Sequence, residues 1–164
     1  MNRTALTILA LSLTPALAAT TPTTAPTPVI TTVTPELMLA IVQGAGYAAK
    51  LDKTGDNPEI TITRKGLVDI YLNLHDCKTG SCTETDVYTY YSADDLDTPP
   101  EESDISDWNS KHYTQAYIDS GDDDSVNLDS LYMFKGGFTK ANFLNFLNTF
   151  KKDADSFDKM LKGM

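Results

Sequence analysis

The sequence predicts an α+β fold: an antiparallel β-sheet of about six strands covered by three helices, in the order α-β-β-β-β-α-β-β-α. Three observations carry this. Short segments with apolar residues at alternate positions recur between turn-forming clusters, the mark of strands with one buried face. Apolar residues at helical spacing open the run, interrupt it once and close it. The closing segment is long and Phe-rich, a natural cover for a sheet with one apolar side. A chain of 164 residues, 41% hydrophobic and 22% charged, suits one globular domain rather than a disordered polymer.

The folded domain is expected over 34–162. Thr34 can cap a helix with Pro35 in its first turn and Glu36 near the positive end of the dipole; Leu37, Met38, Ile41, Val42 and Ala45 follow at helical spacing, and Gly44 and Gly46 close it. Tyr47 to Lys53 reads as a strand, joined by LDKTGDNP to a second one in which Ile60 and Ile62 alternate with polar residues. After the Lys65-Gly66 turn, Val68, Ile70, Leu72 and Leu74 share one face while Asp69, Tyr71 and Asn73 take the other. Thr83 to Ser92 is the fourth strand, rich in Tyr and Val.

Ile105 to Asp119 is the hinge of the chain. It holds the single Trp, and it joins a short helix, capped by Ser103 or Asp104 and facing inward through Ile105 and Trp108 with Asn109 as a further candidate, to a fifth strand over Tyr113 to Asp119. In that strand Thr114, Ala116 and Ile118 alternate with Gln115 and Tyr117. The sixth strand runs from Ser125 to Phe134. Val126 and Leu128 alternate correctly there, whereas Leu131 and Met133 are out of phase, which predicts a bulge near Asp129-Ser130. Thr139 caps the last helix, whose inner stripe is Phe143, Phe146, Leu147, Phe150, Ala154, Phe157 and Leu161.

The front of the chain is of another kind. Over 1–18, Arg3, an apolar run from Ala5 to Leu13, Pro15 and Ala16-Leu17-Ala18 make the three-part layout of a secretory signal peptide, and the run is shorter than the roughly 20 residues a membrane span needs. No Cys follows to carry a lipid, so a periplasmic or secreted protein without stable membrane insertion is expected. Residues 19–33, almost all Thr, Pro and Ala, read as an extended linker.

Charge excludes some partners. The chain holds 13 Lys and Arg against 23 Asp and Glu, a surface that repels phosphate backbones and anionic headgroups. Nucleic acid is therefore not an expected partner. Cys77 and Cys82, the two cysteines, flank Lys-Thr-Gly-Ser; in an oxidising compartment the default is a disulfide across a hairpin loop. A redox pair would show the closer C-x-x-C spacing, and a metal site using His75 with both thiolates lacks an evident fourth ligand.

The wording at the joints carries a resemblance: Thr34-Pro35-Glu36-Leu37, Gly46-Tyr47, Gly55-Asp56-Asn57-Pro58-Glu59-Ile60, the Asp76-Cys77 corner, Trp108-Asn109 followed by Ala116-Tyr117-Ile118-Asp119, and Gly136-Gly137-Phe138-Thr139 with Asn142-Phe143. In this shared order the chain resembles the YbjN family, described as bacterial sensory transduction regulators, over about Thr34 to Phe157. The resemblance implies a fold like that of type III secretion chaperones, and a role in regulation or protein binding, with no catalytic residues to carry over. The signal peptide, the linker and the cysteine pair set this chain apart from cytoplasmic members.

Two chemistries compete with a binding role. Acid-rich turns at Asp52 to Asp56 and at Asp119, Asp122, Asp123 and Asp124 suggest calcium, yet neither follows the calcium-loop pattern, since Asn57 stands where Gly belongs after Asp52 and Thr63 where the closing Glu belongs. Paired carboxylates, Asp69 with another strand residue, are the material of a hydrolase, but His75 and His112 stand without any recognisable catalytic motif. The expectation is a non-enzymatic module with no metal or cofactor that binds another protein. Tyr71, Tyr88, Tyr90 and Tyr117, off the apolar faces, are its candidate contact residues, because Tyr suits surfaces with one dry and one wet end.

Overall fold

The computed structural model describes residues 28–77, 80–96, 98–119, 121 and 125–163; the expected signal peptide over 1–18, most of the linker, and Asp122 to Asp124 lie outside them. The elements come in the expected order: α1 (Pro35–Gln43), β1 (Ala49–Asp52), β2 (Glu59–Ile62), β3 (Ile70–His75), β4 (Glu84–Tyr91), α2 (Glu102–Lys111), β5 (Gln115–Asp119), β6 (Ser125–Met133) and α3 (Lys140–Leu161). The strands form one antiparallel sheet in the order β1-β2-β3-β4-β6-β5. The α2 crossover carries the chain past β4, so β5 lands at the far edge and β6 returns to fill the gap.

Thr34 caps α1, its hydroxyl accepting from the Leu37 amide at 3.2 Å, and Thr139 does the same for α3 through Asn142 at 3.1 Å. The inner sheet face is Ile60, Ile62, Ile70, Leu72, Leu74, Val87, Val126 and Leu128, all buried. Against it α1 lays Met38 and Val42, α2 lays Trp108, and α3 lays Phe143, Leu147, Phe150, Ala154 and Phe157. Phe157 sits between Tyr91 and Trp108, edge-on to both, at 5.7 and 4.8 Å between ring centroids. Each such side chain stabilises by roughly 1.5–3 kcal/mol on leaving water. Phe146, the outermost member of the expected stripe, rests on Tyr132 at 4.9 Å.

The hinge around Trp108 is a closed polar network. The indole N–H donates to the Thr114 hydroxyl at 3.2 Å, which donates to Asp153 of α3 at 3.1 Å; the other Asp153 oxygen faces His112 Nδ1 at 3.3 Å. His112 stacks flat on the indole, 3.6 Å between centroids. One residue further along α2, the Asn109 side chain accepts from the Ala116 amide at 2.7 Å and donates to the Ala116 carbonyl at 2.9 Å, on the outer side of edge strand β5. At the opposite edge the Gln43 amide donates to the Ala49 carbonyl of β1 at 2.9 Å. Arg64, its side chain 6% exposed, pairs with Asp155 at 2.7 Å and donates to the Val68 carbonyl at 2.6 Å, tying the β2–β3 turn to α3.

Four features differ from expectation. Residues 30–33, expected within the linker, pack on the fold: Ile30 bridges Phe138, Val33 is buried, its amide donates to the Ser81 hydroxyl at 2.9 Å and its carbonyl accepts from the Cys82 amide at 2.7 Å. Gly137, at φ +92°, lets this segment pass, since a Cβ there would meet Val29 at 2.7 Å. The helix α2 begins earlier than expected, with Glu101 as its cap; Asp104 reaches back to accept from the Glu101 amide at 3.0 Å rather than capping forward. The bulge in β6 is absent: its register with β4 runs unbroken from Val126 opposite Tyr91 to Met133 opposite Glu84. Tyr132 and Phe134 take the inward positions, so Leu131 and Met133 point outward and remain half exposed. Finally, Ile118 falls on the inner face but lies at the edge, beyond the cover of the helices, and is 38% exposed.

Candidate functional site: the open face of the sheet

Among the described residues α1, α2 and α3 all pack on the same side of the sheet, which leaves its other side open. Strand alternation places Tyr71, Tyr88, Tyr90 and Tyr117 there, opposite in phase to Leu72, Val87 and Ala116. Tyr71 stacks on Tyr88 at 5.1 Å and on Tyr90 at 5.6 Å between ring centroids. Tyr117 lies in the same cross-strand row as Tyr90 with β6 between them, since Tyr90 pairs with Asn127 and Asn127 with Tyr117. The four sequence-nominated tyrosines thus share one surface, three of them in direct contact; Tyr90 and Tyr117 are 47% and 45% exposed.

The electrostatics of this face are acidic. The Tyr88 hydroxyl donates to Glu59 at 2.7 Å, and burial together with that carboxylate pushes its pKa up. Burial first, then the neighbouring Tyr90, raises Tyr71 to about 12. Asp129, next to Tyr88 across the β4–β6 ladder, is pushed above the ordinary carboxylate range, mainly by burial and then by the charge of Asp86. Asp86 also meets His75, whose Nε2 lies 2.9 Å from its carboxylate, while His75 Nδ1 faces the Asn57 side chain at 3.2 Å.

Sequence reasoning missed Leu131, Met133, Asp86 and Asp129. The first two carried a signal, their break in phase, which an assumed bulge absorbed; the phase was unbroken and the apolar residues simply face out. The acids gave none, because in so acidic a chain nothing distinguishes them before the strands are in register.

Cys77 and Cys82 are bonded to each other, closing the hairpin between β3 and β4. His75 ends β3 and His112 caps the end of α2. Asp69 accepts from the Arg64 amide at 3.1 Å and so serves the β2–β3 turn. In the first acid-rich turn Asp52 accepts from the amide and hydroxyl of Thr54. Among the described residues no group of three or more His, Cys, Asp or Glu is placed to hold a metal ion, and no helix is long and apolar enough to cross a membrane.

No family model matches the sequence, and no curated protein matches it. The fold is similar to that of a solved structure, YbjN from E. coli, described as a candidate transcription regulator: TM-score 0.53 and 14% identity, over 72% of this chain and 83% of that one. At that identity the likeness speaks for the fold, and it supports the fold family expected from the joints of the sequence.

Proposed function

We propose, from a fold similar to that of a regulator-type protein, that this chain is a non-enzymatic regulatory or protein-binding module of the bacterial cell envelope, periplasmic or secreted. Its contact surface is the open face of the sheet. The observation that carries the reading is the one-sided cover: Tyr90, Tyr117, Leu131 and Met133 stay about half exposed on a face that no element among the described residues covers. Exposed apolar and aromatic side chains grouped on one surface mark interaction sites. The candidate role named for YbjN is transcription regulation, but a chain with formal charge -10 repels phosphate, so regulation here works through contact with a protein. The signal-like residues 1–18 and the bonded cysteine pair support export.

The test is site-specific photo-crosslinking in intact cells from Leu131 on the open face and from Lys152, exposed on α3. One protein species captured reproducibly from Leu131 and not from Lys152 is expected; equal capture from both, or none from Leu131, removes the reading. Cell fractionation checks the compartment: recovery of the protein in the cytoplasm with two free thiols overturns export.

A further inference from the structure

The open face has a definite chemistry beyond being uncovered. Register places Asp52, Glu59, Glu84, Asp86, Asp119 and Asp129 on it, with Lys50 as their basic counterpart at the β1 edge. Between β4, β5 and β6 lies a hollow of about 360 Å³ lined by Asp86, Tyr113, Gln115, Asp129, Ser130 and Leu131. Asp86 and Asp129, from neighbouring strands, form its polar part together with Gln115 and Ser130, while Leu131, 51% exposed, and Tyr113, 93% exposed, supply the apolar wall. Met133 and Tyr117 extend the apolar surface on either side.

Resting on the protein-binding reading above, we propose that this face docks a cationic, aliphatic-bearing polypeptide segment of the partner, with the hollow between Asp86 and Asp129 receiving a Lys or Arg side chain. A long basic side chain has the matching anatomy: an apolar stem to lie on Leu131 and Tyr113, and a charged head to meet the two carboxylates. A guanidinium or ammonium over Tyr adds a cation–π attraction. Asp86, which faces His75 Nε2 at 2.9 Å on one side, shares the hollow with the half-buried Asp129, and a cation bound between them offsets their mutual repulsion. The same charges argue against the other occupants. A second copy of the chain would set carboxylates against carboxylates, and the chain's own Thr/Pro segment over 20–33 contains no Lys or Arg.

The experiment titrates the purified, isotopically labelled protein with synthetic peptides of equal length: alternating Lys and Leu, the Glu and the Gln versions of it, and alternating Lys and Gly. The expected result is amide shifts confined to the open face, around Tyr117, Leu131 and Met133, for the Lys–Leu peptide alone. Asp129→Asn, and Asp86→Asn with Asp129→Asn, should weaken it progressively, the pair by about tenfold, which corresponds to about 1.4 kcal/mol. Asp94→Asn with Glu102→Gln, an equal charge change at exposed sites away from this face, should alter it by less than about twofold. Binding of the Glu or Gln peptide to the same face would reject the cationic occupant while leaving the protein-binding reading in place. Equal binding of the Lys–Gly peptide, or equal loss from both acid pairs, would reduce the effect to net charge and reject it too. If no peptide reaches the face and crosslinking from Leu131 is also blank, both readings fall.

Discussion

Thr114→Val tests whether the hinge is held by its hydroxyl network or merely by packing. Val has nearly the volume of Thr, and the site is 3% exposed, so the substitution removes two hydrogen bonds and little else. One joins the hydroxyl to the Asp153 carboxylate at 3.1 Å; a bond to a charged group contributes roughly 1.5–3 kcal/mol. The other satisfies the indole N–H of Trp108, itself 5% exposed, and leaving that donor buried without a partner costs roughly 1–3 kcal/mol. Asp153 keeps His112, which softens the first loss. The sum is about 3 kcal/mol, of the size expected from breaking a buried network. Because Trp108 is the single Trp, its fluorescence during urea unfolding reports on the hinge directly, and far-UV circular dichroism reports on the whole fold. Thr114→Ser, which keeps the hydroxyl, should cost about 1 kcal/mol for its missing methyl group. A loss below about 0.5 kcal/mol in the Val variant, or a Ser variant as damaged as the Val one, would refute the reasoning.

Three further outcomes are expected. Gly137→Ala should destabilise by at least about 2 kcal/mol in thermal melts, since it adds left-handed backbone strain to a contact with Val29, whereas a change within about 0.5 kcal/mol would mean that residues 29–31 do not pass there. Cys77→Ser with Cys82→Ser should cost about 2 kcal/mol by loop entropy, and because the Cys82 amide holds Val33, limited proteolysis should then cut ahead of α1 sooner; an unchanged cleavage rate contradicts this. Asp129 has a raised pKa in the fold, so the folded state holds its proton longer than the unfolded chain does, and stability falls as pH rises from the ordinary carboxylate range through that raised value. Asp129→Asn should therefore flatten that decline and melt no lower than the parent at neutral pH; a lower melting temperature there would reverse the sign.

The strands and helices were legible because their signals are local. Ile60 and Ile62, Leu72 and Leu74, and the stripe from Phe143 to Phe157 repeat at the period of the element that holds them, and each is buried as that period requires except Phe146, which is partly buried at the margin. Ends were less legible, since a cap such as Glu101 is chosen by where the preceding chain arrives. The packing of Val33 could not be read from a Thr/Pro composition because its partners, Ser81 and Cys82, lie across a tertiary contact. The tyrosines of the open face could be nominated by phase, but their meeting with Asp86, Asp129 and Leu131 depends on β6 lying beside β4, a topological fact that no local pattern encodes.

The two carboxamides beside the outermost strands have a consequence for how this molecule meets its own kind. A short terminal strand is normally a template on which another chain can lengthen the sheet, and repeated lengthening is the route to fibrils. Asn109 occupies both main-chain groups of Ala116 on one flank, and Gln43 occupies the carbonyl of Ala49 on the other. An incoming backbone that pairs at Ala116 or at Ala49 must evict a formed contact to do so. Sideways growth is thereby hindered at both flanks by one side chain each.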